Sequence, residues 1–299
     1  MKKPLVCFAS VFVFSACGAP PPPGGAVLPD ALGQTIRPDR GAKSTLLYAS
    51  DANDNFVYTI ELPSGRLAGK LTGFDQPTGL CADVKGDVYV VSSQASEILA
   101  YKHAAKSAFK ELSEHPYIPV GCSIDPVTGN LAVANCCGNS PDGNLAIYAH
   151  ATGAAKYFSD PSMYIYWYCA YDDHGNLYVS GINHSYVYQL DVMPAGKHTL
   201  RAVTLSPNIA GDVSPALQWD GKYLAIASPT AGAIWQYAVS GTQAKRMHVT
   251  KLSDAGGVLD FWIAASGERR TLYAPIFENS VLSVGVYPYP KGGKPETKL

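Results

Sequence analysis

The sequence has few charged residues and no long apolar run. Charged side chains make up 16% of its 299 residues, which is too few to cover many long, exposed helices. The apolar stretch from Leu5 to Phe14 is too short to span a bilayer, and no spanning stretch follows it. Removing Lys2 and Lys3 from the net charge of −1 leaves −3 on residues 17 to 299, without a basic block. We therefore expect no nucleic acid partner.

Catalytic motifs are missing as well. The chain has no G-x-S-x-G elbow, P-loop or G-x-G-x-x-G stretch, so neither nucleophilic hydrolysis nor nucleotide chemistry has a motif to support it. The histidines show no H-x-H or HExxH spacing, and they lie at positions 103, 115, 150, 174, 184, 198 and 248. We expect no cofactor.

Residues 1–16, MKKPLVCFASVFVFSA, have the order of an export signal: two lysines, an apolar stretch and then small residues. The FSAC stretch that ends at Cys17 resembles a bacterial lipobox, in which the leader is cut before a cysteine that is then acylated. The resemblance implies a lipoprotein signal peptide and membrane attachment through Cys17. An ordinary cleaved signal, with Cys17 in a disulfide, is the alternative.

Residues 17–43 are rich in Pro and Gly, as expected for a stiff tether between an anchor and a folded body. By analogy with enteric lipoproteins, Gly18 directly after Cys17 indicates the outer membrane. We therefore expect an exported protein at the outer membrane or cell surface, facing the periplasm or the exterior.

Residues 44–299 contain a repeat. Six similar strands place Tyr48, Tyr89, Ala132, Tyr178, Leu224 and Tyr273 at equivalent points, with steps of 41, 43, 46, 46 and 49 residues. Each copy has a third strand after the marked one, and the last five copies also have an apolar strand before it, joined by a tight turn in which Asp, Gly and Asn are common. A period in the forties with about four strands per copy is typical of propeller blades.

The repeat predicts an all-β fold: a six-bladed β-propeller of four-stranded antiparallel blades, with seven blades as the alternative. The first copy lacks an innermost strand, and the last has no clear fourth strand after Tyr287. Because an open sheet edge exposes unpaired backbone groups, we expect residues 26 to 43 or the tail to complete the ring.

PTGLCADVKGDVYVV and GCSIDPVTGNLAVAN resemble NHL repeats, and YASDANDNFVYTIELPSGRLAGKL is similar to the YVTN-type surface-protein repeat. The resemblance covers roughly residues 44 to 287. It implies a propeller of the superfamily that includes SMP-30-type lactonases. Propellers of this kind include binding scaffolds, lactonases and lyases, so the resemblance is specific for fold only.

Two sets of loops should meet on one rim of the central channel: those that enter the innermost strands and those between second and third strands. Loops held by a rigid scaffold are where binding and catalytic residues concentrate. The candidate binding residues on this rim are Asn135, Tyr166, Trp167, Asn183, His184, Asp212, Asp260 and Glu278.

The densest group of aromatic residues is MYIYWYCAYDD, which starts at Met163. Alternation along a strand would bury some of its rings between blades and leave others at the channel mouth. Tyr166 and Trp167 are therefore either packing residues or a platform for a sugar, peptide or flat ligand. Asp212 and Asp260 are either turn or capping residues or catalytic acids. His184 is either an ordinary surface histidine or a ligand or base.

These features favour an exported, lipid-anchored protein that binds or scaffolds an envelope protein, peptide or saccharide. The alternative implied by the resemblance is a metal-dependent lactonase-like hydrolase or a lyase that uses the channel. It would need Ca²⁺ or another divalent metal, for which Asn135, Asn183 and Asp260 are the side chains to test. The E-G-P-type stretch expected at the first inner strand of such lactonases is missing.

Five cysteines remain beyond Cys7 and Cys17, so at least one thiol lacks an intrachain partner. Cys122 and Cys169 occupy the same place on neighbouring inner strands, whereas Cys81 is displaced by one residue and should face the other way. We expect one disulfide from the Cys136–Cys137 loop to Cys122 or Cys169. A disulfide between the two adjacent cysteines would be strained, and a metal site lacks the C-x-x-C spacing.

Overall fold

The computed structural model describes residues 36–37, 45–138, 140, 142–209, 216–255, 258, 260–266, 269–278 and 281–299. The leader, Cys17 and most of the Pro- and Gly-rich segment lie outside these residues. Within them the regular structure is almost entirely β, with one 3₁₀ turn at Ala149–Ala151. No helical structure in this part of the chain is long and apolar enough to cross a membrane.

The described strands form six sheets. In chain order they are β1 (Ile36–Arg37), β2 (Thr45–Asp51), β3 (Phe56–Leu62), β4 (Leu67–Leu71), β5 (Pro77–Ala82), β6 (Val88–Ser92), β7 (Glu97–Tyr101), β8 (Ala108–Ser113), β9 (Ile118–Ile124), β10 (Leu131–Cys137), β11 (Asn144–Tyr148), β12 (Lys156–Phe158), β13 (Met163–Tyr171), β14 (Leu177–Asn183), β15 (Tyr188–Met193), β16 (Arg201–Ala202), β17 (Thr204–Ser206), β18 (Leu217–Trp219), β19 (Leu224–Ser228), β20 (Ala233–Ser240), β21 (Gln243–Lys251), β22 (Trp262–Ser266), β23 (Arg269–Glu278), β24 (Val281–Tyr289) and β25 (Thr297–Lys298).

Each sheet is a blade of four consecutive antiparallel strands. Blade 1 contains β1 to β4, blade 2 β5 to β8, blade 3 β9 to β12, blade 4 β13 to β16, blade 5 β18 to β21 and blade 6 β22 to β25. The six-bladed all-β fold is confirmed, and the seven-bladed alternative is wrong. Blade 5 differs from the prediction in one respect, since β17 adds a fifth strand parallel to β21.

The ring is completed at both of its expected gaps. β1 pairs with β2 as the missing innermost strand of blade 1, and β25 pairs with β24 as the missing fourth strand of blade 6. β1 also contacts β22, the innermost strand of blade 6, which brings the first and last blades together. Two short edge segments, and not a divergent seventh copy, therefore close the propeller.

Four hairpins between first and second strands share one local design. In each, an aspartate side chain accepts a hydrogen bond from the backbone N–H two residues later, at 2.8 to 2.9 Å. A glycine with φ between 72° and 87° follows in the same turn. These Asx turns explain why four of the copies repeat Asp and Gly there. The aspartates are Asp83, Asp125, Asp172 and Asp220.

The inner strands of blades 2, 3 and 4 approach so closely that two positions need glycine. A Cβ atom at Gly79 would lie 2.4 Å from the Val120 carbonyl oxygen, and one at Gly121 would lie 2.6 Å from that of Trp167. Thr78 Oγ1 donates a hydrogen bond to the Val120 carbonyl at 2.9 Å. These contacts hold the inner strands of the three blades directly against each other.

Candidate functional site

Two β-bulges shape the aromatic strand β13. Its pairing with β14 skips one residue between Met163 and Ile165 and another between Tyr166 and Tyr168. Tyr164 and Trp167 are thus extra residues without a cross-strand partner, and each bulge changes the direction in which the following side chains point. Simple alternation along the strand therefore fails to place these rings.

Tyr166 and Trp167 are both fully buried. The Tyr166 hydroxyl accepts a hydrogen bond from the backbone N–H of Asp160 at 2.7 Å, and Trp167 belongs to the largest hydrophobic cluster. Their predicted position at the channel mouth is wrong, because the bulges turn both rings into the packing between blades. The packing interpretation is the one that fits.

The first bulge instead presents Tyr164 on the predicted rim. The Tyr164 ring lies 5.2 Å from that of His184 and 5.9 Å from that of Tyr186, with the two tyrosines edge to face. His184 Nε2 lies 3.8 Å from an Asp142 carboxylate oxygen. We call these four residues the rim patch. It combines three rings with one carboxylate, and Tyr186 is 58% exposed.

Asn183 shapes the loop that carries two of these rings. Its side-chain oxygen accepts hydrogen bonds from the backbone N–H groups of Ser185 at 2.9 Å and Val187 at 3.1 Å. Tyr186 adopts a positive φ of 58°, a conformation that few non-glycine residues take. Asn183 therefore positions the rim patch, while its own side-chain oxygen is already occupied.

The second bulge in β13 has a counterpart at Val120 in blade 3, and it borders a position that needs glycine. Gly181 pairs with Tyr166, and a Cβ atom at Gly181 would lie 1.9 Å from the Ile165 carbonyl oxygen. The Gly143 N–H donates to the Tyr164 carbonyl at 2.9 Å, which joins the loop containing Asp142 to the bulge. The backbone holds the patch from two sides.

Blade 4 also contains a buried carboxylate that the sequence did not reveal. Asp191 on β15 is fully buried, and Gln189 Nε2 donates both to its Oδ1 at 2.9 Å and to Ser162 Oγ at 2.8 Å. Burial is the main cause that raises the pKa of Asp191 to about 7, and the carboxylate of Asp160 adds to the rise. Asp191 therefore titrates near neutral pH.

The other predicted site residues do not join the patch. Asn135 is fully buried and donates from Nδ2 to Glu114 Oε2 at 2.8 Å and to Asn144 Oδ1 at 2.9 Å. Asp260 Oδ1 accepts from the backbone N–H of Phe261 at 2.8 Å, which fits the capping role. Asp212 and the side chain of Glu278 lie outside the described residues.

Asn135, Asn183 and Asp260 thus each have their own hydrogen-bond partners. Among the residues that the structure describes, no three His, Cys, Asp or Glu side chains are grouped to hold a metal ion. Of the missed residues, Tyr186 and Asp142 could have been found, since both lie in loops between second and third strands. Asp191 could not, because nothing in a third strand marks a buried acid.

The disulfide differs from the prediction. Cys122 is bonded to Cys81 with a Cα–Cα distance of 5.7 Å, so the predicted link from Cys122 or Cys169 to the Cys136–Cys137 loop is wrong, although Cys137 is itself disulfide-bonded. Neighbouring blades meet through opposite faces, so cysteines that point in opposite directions on adjacent inner strands face each other. Cys136 and Cys169 are free and buried. The displacement of Cys81 by one residue is what lets it meet Cys122.

No family model matches the chain, and no curated protein matches it. Solved structures do. A structure titled as the nidogen/laminin complex matches with a TM-score of 0.58 and 15% identity over 74% of this chain and 80% of that one. The β-propeller domain of Cps50 (Swd1) from Myceliophteria thermophila matches with a TM-score of 0.58 and 15% identity over 89% of this chain and 85% of that one.

Virginiamycin B lyase from Staphylococcus aureus is similar to the same degree, with a TM-score of 0.58 and 13% identity over 89% of this chain and 88% of that one. At such identities the comparisons show the fold alone. They place the chain among the β-propellers, and both binding domains and a lyase have this architecture.

Proposed function

We propose that this propeller is an exported, lipid-anchored binding protein of the cell envelope, and that the rim patch contacts its ligand. The observation that carries the proposal is the bulged Tyr164, which sets three aromatic rings and a carboxylate side by side on an exposed rim. Exposed aromatic residues supply large contact areas with little loss of side-chain entropy.

The chemistry of the patch suits a saccharide or a peptide. Tyrosine rings stack against the apolar faces of sugars and against flat peptide groups, and their hydroxyls form hydrogen bonds at the edge. Asp142 supplies acceptors for sugar hydroxyls or an amine, and His184 supplies a donor or an acceptor. We propose a peptidoglycan-type ligand, because it offers sugars and peptide amines together in the envelope.

The proposed site can be tested with a soluble disaccharide-pentapeptide fragment of peptidoglycan. We expect Tyr186→Ala and His184→Ala each to weaken binding roughly tenfold in titration calorimetry, because central aromatic contacts dominate interfaces of this kind. Sugar-only and peptide-only fragments then show which half the patch recognises.

Tyr223 and His248 provide a matched control, since they form a similar pair with ring centroids 5.4 Å apart on blade 5. Tyr223→Ala should leave binding unchanged. Equal affinity of the two rim variants and the wild type would refute the proposed site.

We further propose that the repeats belong to the NHL and YVTN group and that Cys17 carries the lipid. The blade sequences support the first point, and FSAC followed by the Pro-rich segment supports the second. We expect Cys17→Ser to be released in soluble form, because two acyl chains supply the membrane affinity. Wild-type protein should incorporate labelled palmitate, and the variant should not. A wild type that takes up no label would contradict lipidation.

A further inference from the structure

The central channel contains a cavity of about 280 Å³ that the rim patch does not use. Val84, Pro126 and Asp173 line it, and all three lie in turns between first and second strands. Those turns are at the opposite ends of the strands from the loops of the rim patch. The cavity therefore opens on the other face of the propeller.

One wall of the cavity is apolar and rigid. It consists of the inner strands of blades 2 and 3, which are joined by the Cys81–Cys122 disulfide and by the close approach of Gly79 to Gly121. The facing wall carries the chemistry. It contains the partly buried indoles of Trp219 and Trp262.

The charge of the cavity has one sign. Two carboxylates, Asp173 and Asp260, line it, and the described lining contains no lysine, arginine or histidine. Trp219 Nε1 donates a hydrogen bond to Asp173 Oδ2 at 2.8 Å, which fixes the indole beside the carboxylate. An anionic ligand would be repelled from this lining.

Gln218 also lines the cavity, but its amide is already occupied. It donates from Nε2 to the Ile263 carbonyl at 2.9 Å and accepts at Oε1 from the Ile263 N–H at 2.7 Å. These two bonds join blade 5 to blade 6 and hold the wall in place. The charged groups among the described lining residues are thus the two carboxylates, which lie on the same side as the indoles.

We propose that the channel cavity binds a small organic cation, namely an alkylamine or a lysine-like side chain. An ammonium group is attracted both by carboxylates and by the faces of tryptophan rings. Its alkyl stem suits the apolar wall. The volume lies at the low end of small-molecule sites, so it fits a ligand of only a few carbon atoms. This site is separate from the rim patch and does not depend on the proposed function.

The test is a titration of the purified protein with cadaverine, followed by calorimetry and tryptophan fluorescence. We expect Trp219→Leu and Asp260→Asn each to weaken cadaverine binding roughly tenfold, and rising salt to weaken it further. Asp173→Asn keeps an oxygen to accept from Trp219 while it removes the charge. It should weaken binding by a similar factor, and because Asp173 is exposed it tests the site even where Asp260→Asn fails to fold.

Trp235 provides the matched control, because it stacks with Arg246 at 5.0 Å on blade 5 and does not line the cavity. Trp235→Leu should bind cadaverine as the wild type does. Three results would overturn the proposal: no binding of cadaverine, equal binding of the uncharged 1-pentanol, or full cadaverine affinity in Asp173→Asn.

Discussion

Replacing Trp167 with alanine should lower the free energy of unfolding by about 3 to 5 kcal/mol, which is the usual cost of truncating a large core residue. Trp167 is fully buried in the largest hydrophobic cluster, and its carbonyl lies against Gly121 of the next blade. Loss of the indole therefore leaves a cavity in this cluster. Urea denaturation followed by circular dichroism measures the change.

Trp235→Ala is the control for this experiment, because Trp235 is only partly buried and lies on the third strand of blade 5. It should cost clearly less than the change at Trp167. A Trp167→Ala protein as stable as the wild type would show that the indole is not part of the packing. The burial described above would then have to be revised.

Replacing Asp191 with asparagine should stabilise the protein at pH 8 and leave its stability near pH 4 unchanged. The folded-state pKa of about 7 is higher than the value of about 4 for an unfolded aspartate. The stability due to neutral Asp191 is therefore fully present below about pH 4 and is lost as the pH rises through about 7. Asparagine is neutral throughout and can still accept the hydrogen bond from Gln189.

The gain at pH 8 should be on the order of 4 kcal/mol, since the pKa differs by about three units between the folded and unfolded states and one unit corresponds to about 1.4 kcal/mol. Melting temperatures between pH 4 and pH 9 give the comparison. Asp142→Asn is the control, because it neutralises a carboxylate whose side chain is 45% exposed. A wild type and an Asp191→Asn variant with parallel curves across this range would contradict the raised pKa.

The number of blades could be predicted from the sequence because each blade is a local unit. Its hairpins are defined by residues close in the chain, such as Asp83 with Gly86 or Asp172 with Gly175. The period of the repeat thus reports directly on the architecture. The edge strands at Ile36–Arg37 and Thr297–Lys298 were expected only in outline, since two residues of pairing leave little pattern.

The site was harder to predict because it depends on bulges and on contacts between blades. His184 lies in the rim patch, but the bulges in β13 place Tyr164 there and bury Trp167. One extra residue inverts the facing of a strand, and no local sequence pattern reports its position. The sequence did not predict the Cys81–Cys122 disulfide for a related reason, since its geometry depends on how two blades face each other.

The way in which the ring is joined has a consequence for its mechanics. Every described blade is built from consecutive strands, so blades 1 and 6 meet through packing of β1 on β22 and do not share a sheet. Pulling these two blades apart breaks no sheet pairing, whereas opening any blade breaks a ladder of backbone hydrogen bonds. The junction is a seam, and an opened ring would still hold six intact sheets. A circular permutation that cuts the chain between two other blades should therefore preserve the propeller, since packing alone already holds blades 1 and 6 together.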